Sequence, residues 1–245
     1  MKIAIISDIH SNLEALQACL QKAASLGVDQ YACLGDVVGY GPDPAETLET
    51  IRALPKLVIV RGNHEEALFG TYYKGLREHI RATIDWTREQ LSTEQREYLK
   101  NLPYQTSLAE FHLVHASAKN PQKWPYVYDT ELARDCMQAS DRRLTFLGHT
   151  HYPEVYYEGP SGEVLCHTPQ AGVSIPIYTS SRYVINVGSV GQPRDDNNAA
   201  SFVVYNSAEK DVTFHRVPYD FSITAKKIID RGLPQLFAER LATGN

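Results

Sequence analysis

The strongest constraint on the fold is an alternation running from Lys2 to Asn63, in which short apolar stretches give way to polar residues and then to helical patterns, without any internal sequence repeat. Lys2 to Ser7 is apolar and β-branched, as a buried strand requires. Ser11-Asn12-Leu13-Glu14 then forms a capping-box pattern ahead of Leu13, Leu16 and Leu20 at helical spacing. Gly27 closes that helix, Tyr31 to Leu34 reads as a second strand, and Asp43-Pro44-Ala45-Glu46 opens a second helix with proline at its first position. Leu57 to Val60 supplies a third strand. Strands alternating with helices imply parallel neighbours joined by right-handed crossovers, whose working loops lie at the strand C-terminal ends. Those loops are Asp8-Ile9-His10, Gly35-Asp36 and Gly62-Asn63-His64. Three polar clusters from distant positions should therefore meet on one edge.

The remaining chain reads differently. Residues Glu66 to Leu102 are charged and aromatic, with helical spacing through Leu76, Ile80, Thr83 and Leu91, and Pro103 closes the segment. This predicts a helical insertion near the site, at about 66–102, within a single domain covering 1–245. Shorter β runs follow at Phe111 to His115, Leu144 to Leu147, Glu154 to Tyr157, Val164 to His167, Tyr183 to Val187, Phe202 to Tyr205 and Val212 to Val217. One helix, near Thr130 to Ala139, interrupts them, and a helical tail runs from Ile223 to Leu241 with a break near Gly232 and Pro234.

Composition narrows the function. A chain of 245 residues that is 43% hydrophobic can bury a substantial core. Its formal net charge of -5 argues against broad binding to nucleic acid, which needs basic surface, so no stable nucleic-acid partner is expected. The N-terminal apolar run is too short for a signal peptide or membrane span, which predicts a cytoplasmic protein without a membrane partner. Cys19, Cys33, Cys136 and Cys166 are scattered with no CxxC pair, a pattern of reduced buried thiols. A homo-oligomer is left open.

The chemistry lies in the histidines. Of nine, His10, His64, His115, His149 and His151 sit beside Asp, Asn, Gly or another His. Residues two apart in an extended backbone face the same side, so Asp8 with His10, and His149 with His151, can each address one metal region. Carboxylate oxygen with imidazole nitrogen suits Mn²⁺, Fe, Zn²⁺, Co²⁺ or Ni²⁺ rather than Ca²⁺. His79, His112, His167 and His215 are read as ordinary hydrogen-bonding residues. Alone, Asp8 and Asp36 would be read as turn or helix caps and Asn63 as a turn residue.

Asp8-Ile9-His10, Gly35-Asp36, Gly62-Asn63-His64-Glu65, His115 and Gly148-His149-Thr150-His151 stand in the order seen in calcineurin-like metallophosphoesterases. The sequence resembles that superfamily from Lys2 to about Tyr205, and within it the compact prokaryotic, phosphodiesterase-like branch. Stretches like Ser7-Asp8-Ile9-His10-Ser11-Asn12, Gly35-Asp36-Val37-Val38-Gly39-Tyr40-Gly41-Pro42 and Gly188-Ser189-Val190-Gly191-Gln192-Pro193-Arg194 recur there. The resemblance implies an α/β fold, a four-layer α-β-β-α sandwich with two central mixed sheets. It places one metal on Asp8, His10 and His151, a second on Asn63, His115 and His149, and Asp36 between them as bridge.

Two divalent cations so held, about 3.5 to 4 Å apart, would turn a shared water into a hydroxide nucleophile and neutralise the phosphate oxygens. Mn²⁺ is the expected metal in vitro. Catalytic roles fall to Asp36 and to His64, which resembles the family's non-ligand histidine that contacts phosphate and protonates the departing oxygen. Glu65 is a weaker candidate. Asn63, His64 and Arg194 are the expected substrate contacts. The Gly188 to Arg194 stretch is either a plain turn or a source of anion contacts from Ser189 or Arg194. Tyr72-Tyr73 and Trp124-Pro125-Tyr126 either pack or stack a nucleobase, packing being the commoner use of such residues. The expected partner is a small phosphate ester, foremost a phosphodiester. A phosphomonoesterase or protein phosphatase, a dinucleotide-polyphosphate hydrolase and a non-catalytic metal-binding scaffold are the alternatives.

Overall fold

The computed structural model describes residues 1–108 and 110–245. In chain order the elements of the first half are β1 (Lys2–Ile6), α1 (Leu13–Ser25), β2 (Gln30–Cys33), α2 (Pro44–Arg52), β3 (Val58–Ile59), α3 (Asn63–Ala67), α4 (Glu78–Gln90), α5 (Thr93–Lys100), β4 (Gln105–Leu108) and β5 (Phe111–Val114). Then come α6 (Thr130–Ala139), β6 (Leu144–Leu147), β7 (Pro153–Glu158), β8 (Val164–His167), β9 (Ser174–Pro176), β10 (Tyr183–Val187), β11 (Ala200–Asn206), β12 (Asp211–Val217), α7 (Phe221–Asp230) and α8 (Gln235–Thr243).

The strands form two six-stranded sheets, ordered β3-β2-β1-β11-β12-β9 and β4-β5-β6-β10-β7-β8. In the first, β1, β2 and β3 run parallel while β11, β12 and β9 are antiparallel additions. In the second, β5, β6 and β10 are parallel and β4, β7 and β8 antiparallel. Both sheets are therefore mixed, as expected.

Alternation along each strand explains the layers. Ile3 and Ile5 of β1 point between the sheets, where they join Leu34, Val203 and Phe214 against Phe111, Phe146 and Ile185. Ala4 and Ile6, on the opposite face, pack with Leu16 and Cys19 of α1 and Leu48 and Ile51 of α2. Burial on both faces makes the strand a continuous apolar run, each such side chain contributing about 1.5–3 kcal/mol. The outer face of the second sheet, through Val114, Leu147 and Val184, is covered by Ala133, Cys136 and Met137 of α6. The result is a four-layer α-β-β-α sandwich.

Several details depart from the sequence reading. Asn12 rather than Ser11 caps α1, its Oδ1 accepting from the Ala15 N–H at 3.1 Å. Glu14 instead accepts from Lys227 Nζ at 2.5 Å and Thr224 Oγ1 at 2.7 Å, tying α1 to α7. The third strand is only Val58–Ile59, and β4 and β9 had no counterpart among the expected strands. The Glu66 to Leu102 helices send Ile84, Leu91, Leu99 and Leu102 into the cluster that holds α1 and α2, so they form part of the main core. All four cysteines are free, but Cys166 is exposed rather than buried. Among the described residues no helix is long and apolar enough to cross a membrane.

Candidate metal centre

The loops that follow β1, β2, β3, β5, β6 and β10 meet at one rim. These are the parallel strands of both sheets, so their C-terminal ends converge. The loop after β1 is stitched to the loop after β2: Asp8 N–H donates to Gly35 O at 3.1 Å, and the N–H groups of Ile9 and His10 to Asp36 O at 2.8 and 2.9 Å. Gly191 N–H reaches Asp8 O at 2.9 Å from the loop after β10, and Gly148 N–H reaches His115 O at 2.9 Å.

The backbone that aims the side chains is not extended. Asp8 (φ 52°), His10 (φ 49°), Asp36 (φ 49°), His149 (φ 68°) and His151 (φ 67°) all occupy the left-handed region, which non-glycine residues seldom adopt. The extended-strand reasoning therefore fails for His149 and His151, which turn to different clusters. His151 Nε2 lies 3.1 Å from Asp8 Oδ1 and 3.2 Å from His10 Nε2. His149 Nδ1 lies 3.1 Å from His115 Nε2, which is itself 2.9 Å from Asn63 Oδ1.

Asp36 stands between the clusters. Its Oδ1 accepts the His64 N–H at 2.8 Å, at the start of α3. Its Oδ2 faces His115 Nε2 at 3.4 Å and His10 Nε2 at 3.8 Å. Asp8 divides its oxygens similarly: Oδ2 accepts from Ser7 Oγ at 2.6 Å and His149 N–H at 3.0 Å, leaving Oδ1 without a hydrogen-bond donor. The glycines before these residues matter through close approach to carboxylates. A Cβ on Gly62 would lie 2.1 Å from Asp36 Oδ1, and one on Gly148 2.3 Å from Asp8 Oδ2.

Ring orientation is set from behind. His115 Nδ1 meets Leu34 O at 2.9 Å and His151 Nδ1 meets Gln192 O at 2.5 Å. Each carbonyl calls for an N–H, so both Nε2 lone pairs face the cluster, the usual arrangement of a metal-binding imidazole. Two pairs of imidazole nitrogens at hydrogen-bond distance beside two carboxylates make an electron-rich cluster that favours positive charge between them. Protons supply part of it without metal. Burial disfavours the charged ring, yet the Asp36 and Asp8 carboxylates push His115 up to about 9. Burial and the His115 charge press His149 down to about 3. Asp8 and Asp36 are held below the usual carboxylate range because neighbouring histidines outweigh their burial. The donor groups Asp8-His10-His151, His10-Asp36-His64 and Asp36-His115-His149 each have geometry able to hold a cation, and the donor chemistry fits.

His64 lies at the rim of this centre, its Nε2 4.0 Å from Asp36 Oδ2 and its Nδ1 buried without a partner. Burial depresses it to about 4, with Asp36 opposing and His115 and Arg194 assisting, so its pKa is not the near-neutral value of a free imidazole. Arg194 is close enough for its charge to act on His64, His151 and Tyr40, and its Nη2 donates to Gln192 Oε1 at 3.2 Å. Ser189 is not free for a substrate: its Oγ donates to Asp8 O at 2.7 Å and accepts the Gln192 N–H at 2.8 Å.

Four participants escaped the sequence reading or were underweighted. Glu65, fully buried, accepts the N–H groups of Asp36 and Gly62 at 2.8 Å and of Val38 at 3.1 Å, fixing two of the loops. Gln192 orients His151 through its carbonyl. Tyr40 packs tilted against His10 (centroids 4.5 Å) and edge-to-face against His64 (4.3 Å), and Phe237 of α8 stacks behind it at 4.6 Å. Glu65, Tyr40 and Gln192 had a signal in their places within the recurring motifs; Phe237 had none.

Comparison with known proteins identifies the family. The profile of the calcineurin-like phosphoesterase superfamily domain matches residues 1–210. The chain is 36% identical over 250 residues to uncharacterized protein MJ0912 of Methanocaldococcus jannaschii, covering 99% of this chain and 98% of that one. It is 33% identical over 148 residues to a symmetrical bis(5'-nucleosyl)-tetraphosphatase of Vibrio parahaemolyticus, spanning 58% of this chain and about half, 52%, of that protein. The crystal structure of a metallophosphoesterase from Sphaerobacter thermophilus is 39% identical, covers 100% of this chain and 99% of its own, and superposes with a TM-score of 0.88. With ordered motifs, a two-sheet sandwich and a histidine-carboxylate rim all in agreement, the chain belongs to the calcineurin-like phosphoesterase superfamily and is a metal-dependent phosphoesterase.

Proposed function

We propose that the protein is a binuclear phosphoesterase of one domain, acting on a small phosphodiester. Asp8, His10 and His151 would hold one cation, Asn63, His115 and His149 the other, and Asp36 both. The observation carrying this reading is that Asp36 Oδ2 faces one histidine of each cluster, at 3.4 and 3.8 Å. Mn²⁺ in vitro, or Fe, Zn²⁺, Co²⁺ or Ni²⁺ on the same donors, would supply a deprotonated water as nucleophile and positive charge for the phosphate oxygens.

The chain's own residues do the rest. Arg194, on the His64 and His151 side, binds a phosphate oxygen, and Asn63 holds its amide toward the same phosphate. His64 donates a proton to the departing oxygen; a bound phosphate brings the negative charge that raises its depressed pKa toward the working range. Glu65 keeps the Asp36 and Asn63 loops in register. The four free thiols agree with a reducing, cytoplasmic setting.

The test is hydrolysis of a chromogenic phosphodiester beside its monoester by metal-stripped protein, before and after Mn²⁺ addition, with Asp36→Asn as control. Metal-dependent diester turnover lost in the variant supports the proposal; monoester turnover alone reverses the ester class. Folded protein that binds two ions and turns over nothing would make the scaffold reading correct. The Vibrio relative makes dinucleotide-polyphosphate hydrolysis the second reading, and diadenosine tetraphosphate as substrate in the same assay decides it.

A further inference from the structure

A cavity of about 340 Å³ opens beside Trp124, lined also by Glu66, Tyr72, Gly75, Leu76 and Gln122. Its volume is at the low end of ligand pockets, about 300–1,000 Å³, and so suits one ring system rather than a whole dinucleotide. Trp124 connects it to the centre. The indole lies 5.8 Å from the His115 ring and 6.3 Å from the Tyr72 ring, centroid to centroid. It is 3% exposed, yet its Nε1 has no hydrogen-bond partner among the described residues. A buried indole N–H normally finds an acceptor, and this one, on a residue that also lines the cavity, would gain it from a ligand once the wall shifts to uncover the nitrogen.

Two further observations define the occupant. Tyr126 stacks on His149 at 4.1 Å with an 18° interplanar angle, and is 48% exposed, so an aromatic platform stands at the mouth of the metal centre. Gln122, an exposed residue of the cavity wall, offers an amide with both donor and acceptor. Glu66 is already engaged by Arg61 Nη1 at 2.8 Å and the Tyr104 hydroxyl at 2.9 Å, which offsets its charge. Aromatic faces combined with in-plane hydrogen-bonding groups favour a flat heterocycle carrying ring acceptors over a plain hydrocarbon or a sugar.

We propose that the Tyr72-Trp124 cavity is a base-binding subsite, which makes the substrate a nucleoside phosphate ester. This rests on the phosphoesterase reading of the candidate metal centre. The base stacks against Tyr72 and accepts from the Trp124 N–H while the phosphate lies at the histidines.

The test compares adenosine 5'-monophosphate with ribose 5-phosphate, which differ only in the base. Calorimetric titrations on Mn²⁺-loaded protein give both affinities. Because Trp86 and Trp124 are the two tryptophans, a Trp86→Phe background makes Trp124 emission a local reporter. The nucleotide should bind about tenfold or more tighter than the sugar phosphate, as one base stack implies, and should change Trp124 emission saturably. Tyr72→Leu, and separately Trp124→Phe, which keeps the ring and removes the N–H, should shrink that ratio. Equal affinities for the two ligands, with diester hydrolysis intact, would overturn the subsite and leave the phosphoesterase reading standing. Binding of neither ligand together with absent hydrolysis would overturn both.

Discussion

Replacing Phe237 by leucine asks whether the last helix shapes the rim of the proposed centre. Phe237 is fully buried and stacks on Tyr40 at 4.6 Å and 30°, and Tyr40 packs against His10 and His64. Leucine keeps much of the apolar volume and removes the ring pair, a term of about 0.5–1.5 kcal/mol. With repacking, the total loss of stability should be about 1–3 kcal/mol, roughly 2–12 °C in Tm for a chain of this size. If the ring pair is what holds Tyr40 against the imidazoles, the same energy appears as a fall of about two- to tenfold in kcat/KM. The assay is Mn²⁺-dependent diester hydrolysis well below the variant's Tm, with Phe237→Tyr as a ring-restoring control. A lowered Tm with wild-type kcat/KM would show that Phe237 only fills space, and the buttress argument would be wrong.

Other perturbations address other parts of the centre. Glu65→Gln turns an acceptor oxygen into a donor among three backbone N–H groups, and should cost about 1–3 kcal/mol and weaken Mn²⁺ binding about 10- to 100-fold by calorimetry; unchanged affinity would refute the loop-fixing role. His115, raised from 6.5 to about 9 in the metal-free fold, contributes stability that is fully present below pH 6.5 and is lost as pH rises through 9. On the proposed ligand set a cation displaces that proton, so Mn²⁺ titrations near pH 7.5 in buffers of different ionisation enthalpy should reveal proton release, and their agreement would count against it. His64→Ala should lower kcat about 10²-fold or more for a diester with an alkoxide leaving group and far less for p-nitrophenolate, which needs no proton; equal losses would remove His64 as the acid.

The sequence made the core strands readable because burial on both faces leaves uninterrupted apolar runs such as Ile3 to Ile6. The strands it hid were β4 and β9, sheet-edge strands reading Gln-Thr-Ser-Leu and Ser-Ile-Pro, whose partly exposed residues carry no pattern of their own and are recruited by β5 and β12. Histidine and aspartate identities were legible from chemistry and order. Their aim was not, since a left-handed φ at His149 or His151 depends on contacts from other loops. Ser11 lost the cap to Asn12 for a related reason: it takes φ 54°, outside the usual range of a capping residue. Tyr40 and Phe237 meet across almost two hundred residues; the recurring stretch from Gly35 to Pro42 contains Tyr40, but nothing local marks Phe237 as its support.

The left-handed residues at the rim have a consequence for how such a protein responds to selection. At about 1 kcal/mol or more each, Asp8, His10, Asp36, His149 and His151 draw on a net stability of only about 5–15 kcal/mol. Cations that bind only the folded chain return that energy by mass action. Heat resistance and chelation are thus opposed pressures on the same loops. A library propagated for thermal survival in a metal-free medium should drift toward glycine at these positions, yielding sturdier molecules that have forgotten how to hold an ion.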